Sequence, residues 1–286
     1  MTTSKSKKWD LTITSHRGWF ELNLGEIWQY RDLLKIYIRR NIIAQYKQTI
    51  LGPIWIIIPP ILTTLVFTVI FGNIANISTE GLPKPLFYMA GIITWNYFST
   101  ALTSTSNSLA GNAGIYGKVY FPRIIIPLAT LISSLVRYFI QLMLFFCLLG
   151  YFIINNAESI QIQFHLIWLL PVLVVLMGIQ GLGFGLLISA ITSKYRDVRF
   201  LIGFGVQLLM YASPVIFPLS IVPEKYKWII LANPMSAIVE SFRYMVFGVG
   251  QISFNSTLYS LIFTGGIFFL GFLIFNHIEK DFIDNA

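Results

Sequence analysis

Cysteine, histidine and intramembrane charge are all scarce in this chain, and each scarcity removes a class of function. The one cysteine, Cys147, excludes an intrachain disulfide. Three histidines (His16, His165, His277) and no HExxH leave metal catalysis without ligands, so no metal site is expected. No GxxxxGK[ST] loop is present to cradle ATP phosphates. No acidic residue falls inside the long apolar stretches, and the stretches show no pair of related halves; ion-coupled carriers commonly need both. With no catalytic constellation and no cofactor site, the chain does not read as an enzyme, and whatever drives it must come from a partner.

What is present is apolar length. The sequence is 56% hydrophobic and 11% charged, far below the roughly one-quarter charged residues of soluble domains. Six stretches, about 54–72, 86–108, 124–154, 166–192, 201–222 and 256–276, approach the roughly 20 apolar residues that cross a bilayer as a helix. Lipid gives the backbone no hydrogen-bond partners, so they should be helical. Arg137 is the one charge inside them. The pattern predicts an all-α integral membrane protein: a cytoplasmic arm (1–50), a six-span domain (51–276) and a cytoplasmic tail (277–286). With both termini in the cytoplasm, inside segments carry 15 of the 20 Lys and Arg and outside segments 4, as the positive-inside rule requires. The charge of +8 therefore follows membrane side and is not a nucleic-acid signature. The first apolar run begins only near residue 50, so the first span is expected to act as an uncleaved targeting signal.

Before it, residues 26–48 place Ile27, Tyr30, Leu34, Ile38 and Ile42 on one helical face, with Arg31, Lys35 and Arg39 as a second stripe. A basic amphipathic helix beside a membrane lies in the interface with its cations toward lipid phosphates. It is either an anchor alone or also a docking surface for a cytoplasmic partner.

The spans carry irregularities. Gly52-Pro53 and Pro59-Pro60 in the first predict a kink, for packing or for gating. In the second, Asn96, Ser99, Thr100, Thr103, Ser106 and Asn107 share a face that points to other helices or to a wet cavity. Tyr88, Trp95, Tyr97 and Phe98 form either an interfacial aromatic belt or the lining of a path for a sugar chain. In the path reading, ring faces stack on pyranose C–H faces while the hydroxyls keep water. Arg137 in the third span is either a functional cation or one that snorkels to the interface. Gly178, Gly181, Gly183 and Gly185 in the fourth read as close-packing positions. The fifth ends at Ser213-Pro214 and Pro218. The region 223–247 after it, with five charges and a central Asn233-Pro234 break, predicts two short half-embedded helices on the outer face, with Glu240 and Arg243 able to pair at i, i+3.

Several strings together resemble one family, the membrane-spanning permeases of ABC exporters for lipid-linked polysaccharides (the O-antigen Wzm type, with teichoic-acid and capsule relatives). They are Tyr30-Arg31-Asp32-Leu33-Leu34, Tyr46-Lys47-Gln48-Thr49 with Leu51-Gly52-Pro53-Ile54-Trp55, Lys118-Val119-Tyr120-Phe121-Pro122-Arg123, Tyr195-Arg196-Asp197-Val198-Arg199, Ser213-Pro214-Val215, and Asn233-Pro234-Met235 followed by Glu240, Phe242 and Arg243. Two positions depart from it: Arg137 stands where the family commonly has an acid, and Arg39-Arg40-Asn41 where relatives often carry Arg-Asp.

The resemblance implies a homodimeric, multi-pass permease of the inner membrane, bound to two copies of a cytoplasmic subunit that holds ATP and Mg. It would export an undecaprenyl-pyrophosphate-linked polysaccharide such as O-antigen through a channel at the dimer interface. The alternative is the same architecture exporting teichoic acid, capsule, a drug or a lipid. The path would use Tyr88, Trp95, Asn96, Tyr97, Phe98, Ser99, Thr103 and Arg137. Coupling to the ATPase would use Asn112, Tyr116, Lys118, Tyr120, Arg123, Arg196 and Asp197. The interface helix would present Arg31, Lys35, Arg39 and Arg40, and the gate Pro214, Asn233, Pro234, Glu240 and Arg243.

Overall fold

A bilayer-length apolar helix satisfies every interior backbone group by itself, and helices are the only regular structure among the described residues. The protein's computed structural model describes residues 24–47, 49–116, 121–155, 162–195 and 197–284. The elements are α1 (Leu24–Gln29), α2 (Arg31–Tyr46), α3 (Ile58–Phe67), α4 (Lys84–Ser106), α5 (Ser108–Gly111), α6 (Ala113–Tyr116), α7 (Ile125–Asn155), α8 (Leu170–Lys194), α9 (Val198–Tyr211), α10 (Glu224–Ala232), α11 (Pro234–Phe247) and α12 (Phe254–Asp284).

Among the described residues, four segments are long and apolar enough to cross a membrane: Gly52–Ile74, Ile125–Asn155, Ile167–Thr192 and Phe254–His277. At the place of the predicted second span, α4 has 23 residues but more polar groups. At the place of the fifth, α9 is apolar and has 14 residues. At 1.5 Å per residue it reaches about 21 Å, less than the roughly 30 Å of a hydrocarbon core.

Three boundaries differ from the sequence reading. The first span is composite: a tight 3₁₀ turn at Gly52–Ile56, then α3, then a widened π turn at Thr68–Ile74. Pro59 and Pro60 open α3 instead of kinking its middle, because a first-turn residue has no intrahelical donor to lose. The fifth helix stops at Tyr211, eleven residues before the predicted end, since Pro214 and Pro218 cannot continue it. The sixth runs on to Asp284, so most of the expected tail is helical.

At the centre, α4 packs along α8, which packs on its other side against α12. The glycines make this approach close. A Cβ on Gly181 would lie 2.7 Å from Ala101 Cβ, and one on Gly183 2.7 Å from Phe268 Cα. Flanking this core, α7 and α3 each lie against α4. At one end, α2 crosses the base of α7, and Tyr37 packs with Tyr116, Phe121, Ile125, Leu186 and Phe275. At the opposite end, the starts of α4 and α12 meet α11. The 223–247 region does form two helices broken at Asn233-Pro234, but only α10 is exposed. From Pro234 to Phe247, α11 is buried along most of its length and belongs to the core.

Candidate functional site

Two halves of α4 differ in what covers them. From Leu86 to Trp95 the helix is enclosed by its neighbours. From Asn96 onward one side is uncovered: Asn96, Ser99, Thr100, Thr103 and Ser104 are half-buried, and Asn107 just beyond is exposed. Ser106, predicted on this face, is buried, and its hydroxyl donates to Thr103 O at 2.8 Å. The Thr103 hydroxyl likewise donates to Ser99 O at 2.7 Å. Both hydroxyls are satisfied within their own helix.

Beside this face a cleft of about 460 Å³ opens between the first span and α7, with α4 as its floor. Asn96, Tyr97 and Thr100 line it from α4; Trp55, Ile56, Pro59 and Pro60 from the first span; Ser134, Arg137, Tyr138 and Gln141 from α7. The α7 residues recur at i, i+3, i+4 and i+7, one helical stripe. Gln141 Nε2 donates to Ile56 O at 3.4 Å where α7 meets the start of the first span. Rings of Tyr97 and Tyr138 approach to 4.9 Å between centroids. A cation, two amides and several hydroxyls therefore gather between candidate membrane-spanning segments whose neighbouring surfaces, Leu62 and Leu65 of α3 and Phe139 and Met143 of α7, are apolar and exposed.

Of the predicted path residues, Asn96, Tyr97 and Arg137 meet in this cleft. Ser99 and Thr103 share the uncovered face of α4. Tyr88, Trp95 and Phe98 are elsewhere: at 0, 2 and 2% exposure they are interior packing in this conformation. Tyr88 meets Phe67 and Phe87 edge-on, and Phe98 meets Trp95 and Phe184. The helix period puts them on sides of α4 that its neighbours occupy.

At the far end the predicted gate residues form one locked cluster. Arg243 is fully buried. Its Nη1 donates to Pro214 O, its Nη2 donates to Val215 O at 2.9 Å, and its guanidinium lies 3.6 Å from the Phe87 ring centroid. Glu240 Oε1 stands 3.5 Å from Arg243 Nη1, and Glu240 Oε2 accepts from Gln251 N at 3.0 Å. Burial pushes the Glu240 carboxyl above its ordinary range, against the pull of the Arg243 cation. Burial also lowers Arg243, to about 10, which leaves it charged at neutral pH. Asn233 caps α11 by accepting from Met235 N at 3.1 Å and donates to Leu209 O at 3.1 Å, tying α11 to α9. Pro234 O accepts from Ser260 of α12 at 2.9 Å. Together these contacts join α4, α9, α11 and α12.

At the arm end, α2 shows the predicted division. Arg31, Lys35, Arg39 and Arg40 are exposed, while Tyr37 is buried against α7. Arg40 stacks over the Tyr37 ring at 4.4 Å and donates to Asn112 Oδ1 at 3.4 Å. The Tyr116 hydroxyl donates to Arg123 O at 3.3 Å, and the Arg123 guanidinium lies 5.4 Å from the Tyr116 ring. Through these contacts Asn112, Tyr116 and Phe121 lie against α2. Asp197 is exposed at the start of α9. Lys118, Tyr120 and Arg196 lie outside the described residues. Sequence reading missed Trp55, Ser134, Tyr138 and Gln141. The stripe on α7 was legible by its spacing, but it lacked meaning until Arg137 was seen to share a wall with Asn96.

The described residues thus form a multi-pass membrane protein built of helices, with a polar cleft and a partly uncovered polar helix face. Residues 32–247 match the ABC-2 type transporter family, and the chain belongs to it. It is 26% identical over 264 residues to the O-antigen export system permease protein RfbA of Klebsiella pneumoniae, covering 92% of this chain and 96% of that one. It is 26% identical over 221 residues to the protein of the same name in Myxococcus xanthus, covering 76% and 81%. It is 27% identical over 250 residues to the polysialic acid transport protein KpsM of Escherichia coli, covering 84% and 91%. These similarities agree with the resemblance carried by the motifs.

Proposed function

We propose that this chain is the membrane subunit of an ATP-driven exporter that moves a lipid-linked polysaccharide, with an undecaprenyl-pyrophosphate carrier and an O-antigen-like glycan, across the inner membrane. Two copies form the pathway between them, and two copies of a cytoplasmic ATP-binding subunit drive it. α4, and α9 together with the 212–222 stretch that follows it, complete six crossings, both termini are cytoplasmic, and α2 lies in the inner interface. The observation that carries this reading is the uncovered polar face of α4. Within one protomer it is only partly covered, and α3 and α9, which both pack against α4, carry flanks (Ile61, Leu62, Leu65; Phe200, Phe204, Leu208) that are exposed and apolar. A second copy seated on those flanks would enclose a wet path without exposing polar groups to lipid. The names of the relatives above supply the cargo class.

In the mechanism, ATP binding in the partner moves the 112–123 segment. Because Arg40 and Tyr37 couple that segment to α2, and α2 lies across α7, the movement passes to the helix that carries Arg137. The cleft then changes shape while the Arg243 cluster holds the far end together. Hydroxyls and amides along α4 exchange bonds with sugar hydroxyls, each weak enough to be broken as the chain slides. The test is co-purification with the ATP-binding subunit in nanodiscs, reading ATP turnover with and without lipid-linked glycan, for the wild type and Tyr116→Ala. A complex whose turnover responds to glycan, with the response reduced in the variant, supports the reading. A complex indifferent to glycan favours a drug or lipid exporter of the same architecture, and absence of any ATPase partner overturns ATP-driven transport.

A further inference from the structure

A second cavity, of about 1020 Å³, lies at the far end, outside the cleft and the α4 face. We propose that it binds an uncharged pyranose unit of the exported glycan on the outer face, which deepens the reading above and rests on its orientation. Three aromatic rings form its walls: Trp228 of α10, Tyr244 of α11 and Tyr259 of α12. Each is accessible, at 68, 38 and 40% exposure. Polar groups stand between them: Gln251, Asn255 and Ser256. Ring faces offer stacking area for the C–H faces of a sugar. The two amides provide both donors and acceptors, the mixture that a ring of hydroxyls needs.

Charge selects among occupants. The cation here, Lys227, is held 3.0 Å from Glu224 within its own helix, and its side chain is only 21% exposed. A phosphate or carboxylate entering the cavity would meet a neutralised cation, so the site favours a neutral hydroxylated ligand over a phospholipid headgroup or an acidic sugar. Two parts of the wall are also anchored before any ligand arrives. The Tyr259 hydroxyl donates to Ala232 O at 2.9 Å, fastening the start of α12 to the end of α10. The Gln251 backbone N–H donates to the buried Glu240 carboxylate at 3.0 Å. Gly250 beside it takes φ +126°, and a Cβ there would lie 2.9 Å from Glu240 Oε2. The segment that presents Gln251 is therefore anchored on the Arg243 cluster. A preorganised weak site at the exit would favour forward movement by holding successive units as they emerge.

The test is saturation-transfer NMR on the full chain in detergent with four probes: α-1,4-glucotetraose, α-mannotetraose, β-galactotetraose and an α-2,8-sialic acid tetramer. At least one neutral tetramer should bind in the millimolar range, with the sialic acid tetramer about tenfold weaker. Trp228→Ala should weaken the neutral tetramer about tenfold, and Trp228→Phe, which keeps a stacking face, should restore most of it. The proposal is overturned if no neutral tetramer binds the wild type, if Trp228→Ala binds unchanged, if the acidic tetramer binds equally well, or if phosphatidylglycerol micelles displace the sugar. ATP-driven export by wild-type vesicles, measured alongside, separates the two readings. Export with no tetramer binding overturns this site alone, and failure of export with any glycan overturns the function it rests on.

Discussion

The two ends of the α4 bundle solve opposite problems with similar residue types. At the far end, a cation is sealed: Arg243 has no exposure and binds carbonyls of Pro214 and Val215, the face of Phe87 and a buried carboxylate. Nearer the arm, a cation is left in an open cleft: Arg137 shares a cavity with Asn96, Gln141 and Ser134. The difference shows how position sets the role of a charge within lipid reach. A sealed cation fixes helices to one another, because separating them would strand it without partners. Arg137, half-buried on the wall of a cleft, is not enclosed in this way. The expectation is that the far end is the rigid part and the cleft the part that changes.

That contrast can be broken from either side. Arg243→Met should have the largest effect, about 3–5 kcal/mol of lost stability, because it strands Glu240 and two carbonyls. The thermal unfolding midpoint in detergent reads it, and Arg243→Met with Glu240→Gln should recover only part, since the carbonyls stay unpaired. Gly250→Ala should cost about 1–3 kcal/mol in the same assay through its backbone angle and its clash with Glu240. Arg137→Ala should reverse the balance. Stability should change by less than about 1 kcal/mol, while glycan-stimulated ATP turnover falls about tenfold, equivalent to about 1.4 kcal/mol. An Arg137 variant that unfolds as readily as the Arg243 variant would erase the distinction between the two ends. The smallest effect belongs to Arg40→Ala, about 0.5–1 kcal/mol for one exposed cation–π contact. It should be visible as weakened co-purification with the ATP-binding subunit and not as a lower melting temperature.

Much of the architecture was legible because lipid constrains sequence strongly. The apolar runs located the four segments of bilayer length, the more polar α4 and the shorter α9, and the Asn233-Pro234 break located the division between α10 and α11. The residues from Asn96 to Thr103 that share a polar face of α4 were legible from spacing alone, because serine, threonine and asparagine recur there at helical intervals. What was not legible depended on neighbours. Tyr88, Trp95 and Phe98 have the composition of a sugar path but lie on faces of α4 that α3, α7, α8 and α11 cover, and no local pattern records which helices those are. Glu240 and Arg243 were visible as an i, i+3 pair, but their anchoring of Val215 and Gln251 joins segments 28 and 11 residues away along the chain. The α7 stripe of Ser134, Arg137, Tyr138 and Gln141 was present in the spacing and went unread, because the cation alone drew attention.

The claim on which the account stands is that the uncovered face of α4 is in contact with water within the assembled transporter. The single native cysteine makes this directly measurable. In a Cys147→Ser background, single cysteines at Asn96, Thr100 and Thr103, with controls at lipid-facing Phe139 and buried Ala101, would be exposed to a membrane-impermeant maleimide from the cytoplasmic side of vesicles holding the complex. Labelling should be fast at the three α4 positions, slow at both controls, and blocked when lipid-linked glycan is bound. Labelling at Asn96, Thr100 and Thr103 as slow as at Phe139 and Ala101 would contradict the account.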